Sequence, residues 1–176
     1  MKHFDFARLI PGTAAPELAL DTTSGPWTLA ESAPDNFTML VFYRGLHCPV
    51  CKGFLSELNR LIPDFANVGT KVLGISMDDA ERANKSVTDW ELDQLNLGYG
   101  LTEDQARTWG LYLSGAIKET ETAVFCEPGL FLVDKAGHLY LINISSMPFA
   151  RPDIAGLPAK IAFATANSYP ARGGRV

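Results

Sequence analysis

The sequence contains no long apolar run, no excess of basic residues and only three cysteines. No run approaches the ~18 apolar residues of a membrane-spanning helix, so a membrane protein is not expected. The 15 Lys and Arg residues are scattered among 20 Asp and Glu residues, which gives a net charge of −5. This balance argues against nucleic acid and anionic membranes as partners. Asp5, Arg8 and Pro11 interrupt any signal-like apolar stretch, so we expect a cytoplasmic protein.

Three cysteines are too few for the disulfide framework of a small secreted domain. Two of them lie close together, which fits a catalytic set in a reducing compartment. With 176 residues, 47% of them hydrophobic, the chain can fold around one core without covalent cross-links. We therefore expect a single domain over residues 1–176, with residues 168–176 as a loose tail.

The most informative stretch is residues 39–52, where an apolar run is followed by two cysteines. Residues 39–43 predict a buried strand, and the apolar spacing after the cysteines predicts an amphipathic helix. Pro49 suits the first helical position, which places Cys48 at the N-cap and Cys51 in the first turn. Free N–H groups and the helix dipole stabilise a thiolate there, and such positions lower a thiol pKa from about 8.5 to roughly 3.5–7.5.

The remaining pattern alternates strands and helices. It predicts a hairpin within residues 15–29, a strand at 72–77 and a helix at 79–92 capped by Asp78. A second hairpin follows at residues 130–142, and a last helix at 154–165. This order favours one mixed sheet with helices on both faces.

Three interpretations of the Cys-Pro-Val-Cys motif at positions 48–51 are open: a redox pair, half of a zinc site, or two inert buried thiols. A zinc site needs two more ligands. The candidates lack paired spacing; they are Cys126, His47, His3 and His138. Redox chemistry is therefore the preferred interpretation, with no metal and no organic cofactor.

The order of elements around this motif, with Pro128 before an apolar strand, resembles thioredoxin-like proteins. The opening at residues 11–18, followed by Trp27-Thr28-Leu29, is similar to the alkyl-hydroperoxide-reductase and peroxiredoxin branch. The resemblance runs from about residue 10 to residue 144. It implies an α/β thioredoxin-like fold, with a central mixed sheet flanked by helices in a single domain.

The site motif matches this branch only in part. Peroxiredoxins have a Pro-x-x-x-Thr-x-x-Cys motif, and here Arg44, Cys48 and Cys51 occupy its proline, threonine and cysteine positions. The arginine of the branch would fall near Pro128 and is absent there. Pro128 instead resembles the cis-proline of thioredoxin-like disulfide reductases. Arg44 and Arg151 are the candidate replacement cations, although the usual role of an arginine such as Arg151 is that of a surface residue.

The two resemblances imply different roles for the same pair. In a thioredoxin, Cys48 would be the exposed nucleophile and Cys51 the shielded resolving thiol. In a peroxiredoxin, Cys51 would attack peroxide and Cys48 would condense with the sulfenic acid. Two neighbours could assist: His47 as an imidazolium or as a solvent-facing ring, and Cys126 as a second resolving thiol or as a small buried residue.

The resemblance implies a thiol-dependent oxidoreductase that reduces hydroperoxides through a Cys48–Cys51 disulfide, an antioxidant role. Thioredoxin or glutathione systems would regenerate the thiols, and a homodimer is a further expectation. One alternative is a protein-disulfide reductase with disulfide substrates. The alternatives of another class are a non-catalytic interaction protein and a metal carrier.

Overall fold

The structure is a computed structural model, and it describes residues 8–175. In chain order the elements are β1 (Ala19–Thr22), β2 (Gly25–Thr28), β3 (Phe37–Phe42), α1 (Pro49–Asn67), β4 (Thr70–Ile75), α2 (Ala80–Asp89), β5 (Asn96–Tyr99), α3 (Glu103–Thr108), β6 (Leu113–Gly115), β7 (Val124–Cys126), β8 (Gly129–Asp134), β9 (Leu139–Ile144) and α4 (Leu157–Ala166).

The main sheet has seven strands in the order β2-β1-β5-β4-β3-β8-β9, and β6 pairs with β7 in a separate ribbon. Strand β3 lies parallel to β4 and antiparallel to β8, so the sheet is mixed. Helix α1 connects β3 to the parallel strand β4, as a parallel crossover requires. The predicted α/β fold, a mixed sheet flanked by helices in a single domain, is confirmed.

The sheet separates two apolar cores, because successive residues of a strand point to opposite faces. Met39, Val41 and Tyr43 contribute to the core that packs on α1 and α4, which we call the α1-side core. Leu40 and Phe42 contribute to the core on the other face, the α3-side core, together with Trp109. Since β3 serves both cores, all of its residues are buried. This central strand ends directly before the loop that leads to the cysteines.

Two predicted helix starts differ from the structure by one to three residues. Helix α2 is capped by Asp79, whose side chain accepts the N–H of Arg82, and not by Asp78. Asp78 is buried and bonds elsewhere, which leaves the cap to its neighbour. The last helix starts at Leu157 rather than at 154, because Pro158 is suited to the first turn of a helix.

The C-terminal segment, predicted to be loose, has no regular secondary structure up to residue 175. It nevertheless contacts β9, since the hydroxyl of Tyr140 donates to the carbonyl of Tyr169 at 2.8 Å. Arg172 donates in turn to the hydroxyl of Tyr169 at 3.1 Å. Within residues 8–175, no helix is both long enough and apolar enough to span a membrane.

Candidate active site

The cysteine pair lies at the junction of β3 and α1, as the sequence predicts. Cys48 is the N-cap of α1 in an extended conformation, and its Sγ accepts the N–H of Cys51 at 3.2 Å. Pro49 begins the helix, where its missing N–H leaves no hydrogen bond unmade. Cys48 is 3% exposed and Cys51 is 0% exposed, and neither forms a disulfide. The junction therefore holds two reduced sulfurs beside each other in a nearly dry environment.

Arg151 contacts this pair directly. Its Nη2 lies 3.2 Å from Sγ of Cys51 and its Nη1 donates to the carbonyl of Pro148 at 2.5 Å. The guanidinium also lies 4.9 Å from the ring centroid of Phe54. The expectation that Arg151 is an ordinary surface residue is wrong. The loop after β9 folds back over the start of α1, and that tertiary contact cannot be inferred from its sequence.

The two thiols have opposite proton affinities. Burial raises the pKa of Cys51, but hydrogen bonding from Cys48 and the charge of Arg151 outweigh it and bring that pKa to about 6. The backbone of Arg44 contributes a further hydrogen bond in the same direction. The pKa of Cys48 is raised, because its thiol hydrogen-bonds to the sulfur of Cys51 and is itself buried. The surroundings therefore favour the thiolate form at Cys51 and the thiol form at Cys48, which agrees with the peroxiredoxin assignment.

The guanidinium of Arg44 is bound to Glu127, and its charge also interacts with Cys48 and Cys51. Its Nε and Nη2 each donate to a carboxylate oxygen of Glu127 at 2.8 Å, a bidentate ion pair. Ser114 donates to the same carboxylate at 2.6 Å, and Glu127 is 2% exposed. These hydrogen bonds join the loop between β3 and α1 to the ribbon of β6 and β7. Glu127 was not among the predicted site residues, although a charged residue next to an apolar strand is a signal for a buried ion-pair partner.

Asp78 is a second residue that the sequence analysis did not assign to the site. Its fully buried carboxylate accepts the N–H of Leu46 at 2.7 Å, Nε of Arg82 at 2.9 Å and the hydroxyl of Thr122 at 2.9 Å. Gly45 has φ +130°, and a Cβ there would lie 2.7 Å from this carboxylate. Asp78 thus fixes the loop that presents Cys48.

His47 and Cys126 have no direct catalytic contact. The ring of His47 packs on Phe125 at 4.7 Å, and neither ring nitrogen has a hydrogen-bond partner. Burial lowers the pKa of His47, so the imidazolium interpretation is not supported. Cys126 is fully buried and donates from Sγ to the carbonyl of Tyr43 at 3.4 Å. Burial raises its pKa, as expected of a small residue of the core.

Pro128 does not form a cis peptide bond, since every peptide bond of the described residues is trans. The expected likeness to the cis-proline of disulfide reductases is therefore wrong. The chain passes between β7 and β8 with Glu127 donating its N–H to the carbonyl of Tyr112 at 2.8 Å. The carbonyl of Pro128 accepts the N–H of Ser145 at 2.9 Å, and this hydrogen bond fixes the segment between β7 and β8 beside the end of β9.

Comparisons with protein families and with individual proteins both find similarity to peroxiredoxins. The model of the AhpC/TSA family matches residues 11–142. A 1-Cys peroxiredoxin of Medicago truncatula is 32% identical over 80 residues, which cover 46% of this chain and 37% of that protein. A peroxiredoxin of Treponema denticola is 26% identical over 136 residues, 74% of this chain and 62% of that protein. The chain thus spans little more than a third of the plant relative's length.

Solved structures show the same fold. A mutant of peroxiredoxin 6 from Arenicola marina matches with a TM-score of 0.79 at 15% identity, covering 92% of this chain and 76% of that one. At this identity the likeness concerns the fold alone. The chemistry of the site therefore depends on the residues of this chain.

Proposed function

Because this chain belongs to the AhpC/TSA family, we propose that it reduces hydroperoxides with Cys51 as the attacking thiol and Cys48 as the resolving thiol. One observation carries the assignment: Arg151 lies 3.2 Å from Sγ of Cys51. A cation at this distance stabilises the thiolate, which is the nucleophilic form of cysteine. The same cation would face the charge that develops on the peroxide oxygens.

In the first step, the Cys51 thiolate attacks one peroxide oxygen and the O–O bond breaks. The alkoxide or hydroxide that leaves takes up a proton, and Cys51 becomes a sulfenic acid. In the second step, Cys48 attacks the sulfur of Cys51, water leaves and the disulfide forms. Two outside thiols then restore both cysteines and are themselves joined as a disulfide. Thioredoxin and glutathione systems are the thiol donors that we propose.

The contacts of Cys48 support the second step. Its side chain already hydrogen-bonds to the sulfur of Cys51, so the two sulfurs are direct neighbours before any oxidation. Cys48 occupies the position at which peroxiredoxins carry threonine, and here a thiol replaces the hydroxyl group. The hydroxyl group that orients the peroxide in peroxiredoxins is thus replaced by a thiol that can resolve the sulfenic acid of Cys51.

The protein-disulfide reductase is the less favoured candidate. Its first nucleophile would be Cys48, whose pKa is raised by its hydrogen bond to Cys51 and by burial. Assays of peroxide consumption and of insulin disulfide reduction under the same conditions would separate the two functions. Faster turnover with insulin than with peroxide would contradict our assignment.

The decisive experiment is stopped-flow oxidation of the reduced protein by hydrogen peroxide, followed by intact mass. We expect oxidation far faster than that of free cysteine, with a product lighter by one pair of hydrogen atoms. Cys51→Ser should abolish sulfenic acid formation, whereas Cys48→Ser should let it accumulate. The opposite pattern would assign the attack to Cys48, and a rate equal to that of free cysteine would contradict the peroxidase proposal.

Localisation and assembly are part of the same proposal. A reducing compartment such as the cytosol would supply the thiol donor that the cycle consumes. The homodimer stays a prediction, which sedimentation analysis of the reduced protein would test.

A further inference from the structure

A buried ion pair joins the loop between β3 and α1 to the segment between β7 and β8. Nε and Nη2 of Arg44 each donate to a carboxylate oxygen of Glu127 at 2.8 Å. Arg44 occupies the position at which peroxiredoxins carry proline, which has no charge to balance. The ion pair is therefore a departure of this chain from its family, and its role follows from its own surroundings.

The carboxylate of Glu127 is fixed independently of the arginine. The hydroxyl of Ser114 donates to its Oε1 at 2.6 Å, and the backbone N–H of Glu127 donates to the carbonyl of Tyr112 at 2.8 Å. The side chain of Glu127 is 3% exposed, against 21% for the side chain of Arg44. A carboxylate buried so deeply stays ionised only beside a cation, so Glu127 holds the guanidinium on the side of the ribbon of β6 and β7.

Arg44 also contacts the reactive thiol, although through its main chain. Its backbone forms a hydrogen bond with Sγ of Cys51, while its side chain extends to Glu127. The positive charge of the guanidinium interacts favourably with Cys51 as well. Arg151, 3.2 Å from the same sulfur, forms no ion pair with a carboxylate of residues 8–175. A counter-ion on Arg44 therefore decides whether one cation or two act on Cys51.

We propose that Glu127 is a positioning residue that serves as the counter-ion of Arg44. Its carboxylate neutralises the guanidinium and holds it toward the ribbon, so that the uncompensated charge beside Cys51 is that of Arg151. A thiolate that is stabilised further is a weaker nucleophile, so the neutralised charge keeps Cys51 reactive. Glu127 acts through Arg44 and takes no part in bond making or breaking. The inference rests on the proposed function only in that Cys51 is the thiol that attacks.

The role of a counter-ion and a merely mechanical role predict different effects. If Glu127 only holds the loop in place, loss of either partner should loosen the loop and weaken the hydrogen bonds to Cys51, so both variants should titrate at higher pH. If Glu127 is a counter-ion, Glu127→Gln leaves Arg44 uncompensated and Cys51 should titrate at lower pH, whereas Arg44→Met removes the cation and should have the opposite effect. The direction in Glu127→Gln therefore separates the two roles.

The test is a pH titration of the reduced full-length protein, followed by the ultraviolet absorbance of the thiolate and carried out without peroxide. Cys51 is the thiol that titrates near neutral pH, since a hydrogen bond to Cys51 raises the pKa of Cys48 and burial raises the pKa of Cys126. We expect the midpoint in Glu127→Gln to lie about 0.5 pH unit or more below the wild-type midpoint, because charges in a buried site are weakly screened. Glu119→Gln removes an exposed carboxylate from the loop of the same ribbon and, as the matched control, should leave the midpoint unchanged.

The double variant Arg44→Met with Glu127→Gln carries neither charge and should return close to the wild-type midpoint. A midpoint in Glu127→Gln that is unchanged or higher would overturn the inference, as would a double variant that keeps the low midpoint. If Glu127→Gln alone fails to fold, as judged by circular dichroism, Arg44→Met is compared with the double variant, in which removal of the unpaired carboxylate must lower the midpoint. Equal midpoints in those two proteins would then overturn the inference. Slow oxidation by peroxide would contradict the proposed function but leave this titration valid.

Discussion

Cys51 shows how opposing local effects set the reactivity of one atom. Burial alone would raise the pKa of its thiol, as it does for Cys126. Both cysteines are 0% exposed, so the difference lies in their hydrogen-bond partners. Cys51 accepts hydrogen bonds from Cys48, from Arg151 and from the backbone of Arg44, whereas Cys126 donates to a backbone carbonyl. In a dry environment a few correctly placed donors therefore decide the charge of a thiol.

The first prediction concerns pH. The rate of Cys51 oxidation by hydrogen peroxide should rise with pH through about 6 and then level off, because only the thiolate reacts and that pKa is about 6. Free cysteine, measured in parallel, should still be rising near its own pKa of about 8.5. Stopped-flow rates across this range would check the prediction. A rise only at alkaline pH would contradict it.

The second prediction concerns Arg151. Arg151→Met should slow peroxide oxidation by roughly ten- to a hundredfold at neutral pH, since a hydrogen bond to a charged group contributes about 1.5–3 kcal/mol. The inflection of the pH profile should also move to higher pH. Arg151→Lys keeps a positive charge without the planar guanidinium group, so its oxidation rate should lie between those of the wild type and Arg151→Met. Equal rates for Met and Lys would show that charge is not the cause.

At the scale of elements, the two adjacent aspartates before α2 have different tasks. Asp79 is the N-cap that accepts the N–H of Arg82, while Asp78 reaches the loop between β3 and α1. The sequence pattern predicts Asp78 as the cap, because either aspartate has a carboxylate that can accept the free N–H groups of a helix start. The backbone N–H of Leu46, 32 positions earlier in the chain, is what draws Asp78 away.

The third prediction uses this pair of neighbours. Asp78→Ala should reduce the free energy of unfolding by about 3–5 kcal/mol, because it removes a fully buried carboxylate on which three half-buried donors, from Leu46, Arg82 and Thr122, depend. Asp79→Ala should cost only about 0.5–2 kcal/mol, the usual effect of losing an N-cap. Urea denaturation of both variants would measure the difference. A larger loss in Asp79→Ala would contradict the conclusion that Asp78 holds the loop between β3 and α1.

At the scale of the whole molecule, β3, β4 and β8 connect the two cores. Met39 and Leu132 belong to the α1-side core, whereas Leu40 and Phe131 belong to the α3-side core. Strand β3 pairs with β4 on one side and with β8 on the other. Loss of either core would expose residues of the same strands, so the two cores should unfold together.

The fourth prediction follows from this sharing. Trp90 reports on the α1-side core and Trp109 on the α3-side core. Two double variants, Trp27→Phe with Trp109→Phe and Trp27→Phe with Trp90→Phe, leave one reporter each. Within each variant, denaturation followed by tryptophan fluorescence and by far-ultraviolet circular dichroism should give the same midpoint. Separate midpoints would show that the two faces unfold independently.

The local pattern of the sequence determined the elements and the position of the reactive pair. Apolar spacing, Pro49 and the N-cap position of Cys48 depend on neighbours within one turn, so the strand, the helix start and the cysteine placement were predictable. The hydrogen bond between Cys48 and Cys51 is local, whereas tertiary structure decided which cation reaches the pair and which carboxylate pairs with Arg44. Arg151 lies 100 positions from Cys51 and Glu127 lies 83 positions from Arg44, and only the folded sheet brings each pair together. A pKa depends on these distances, and no local pattern contains them.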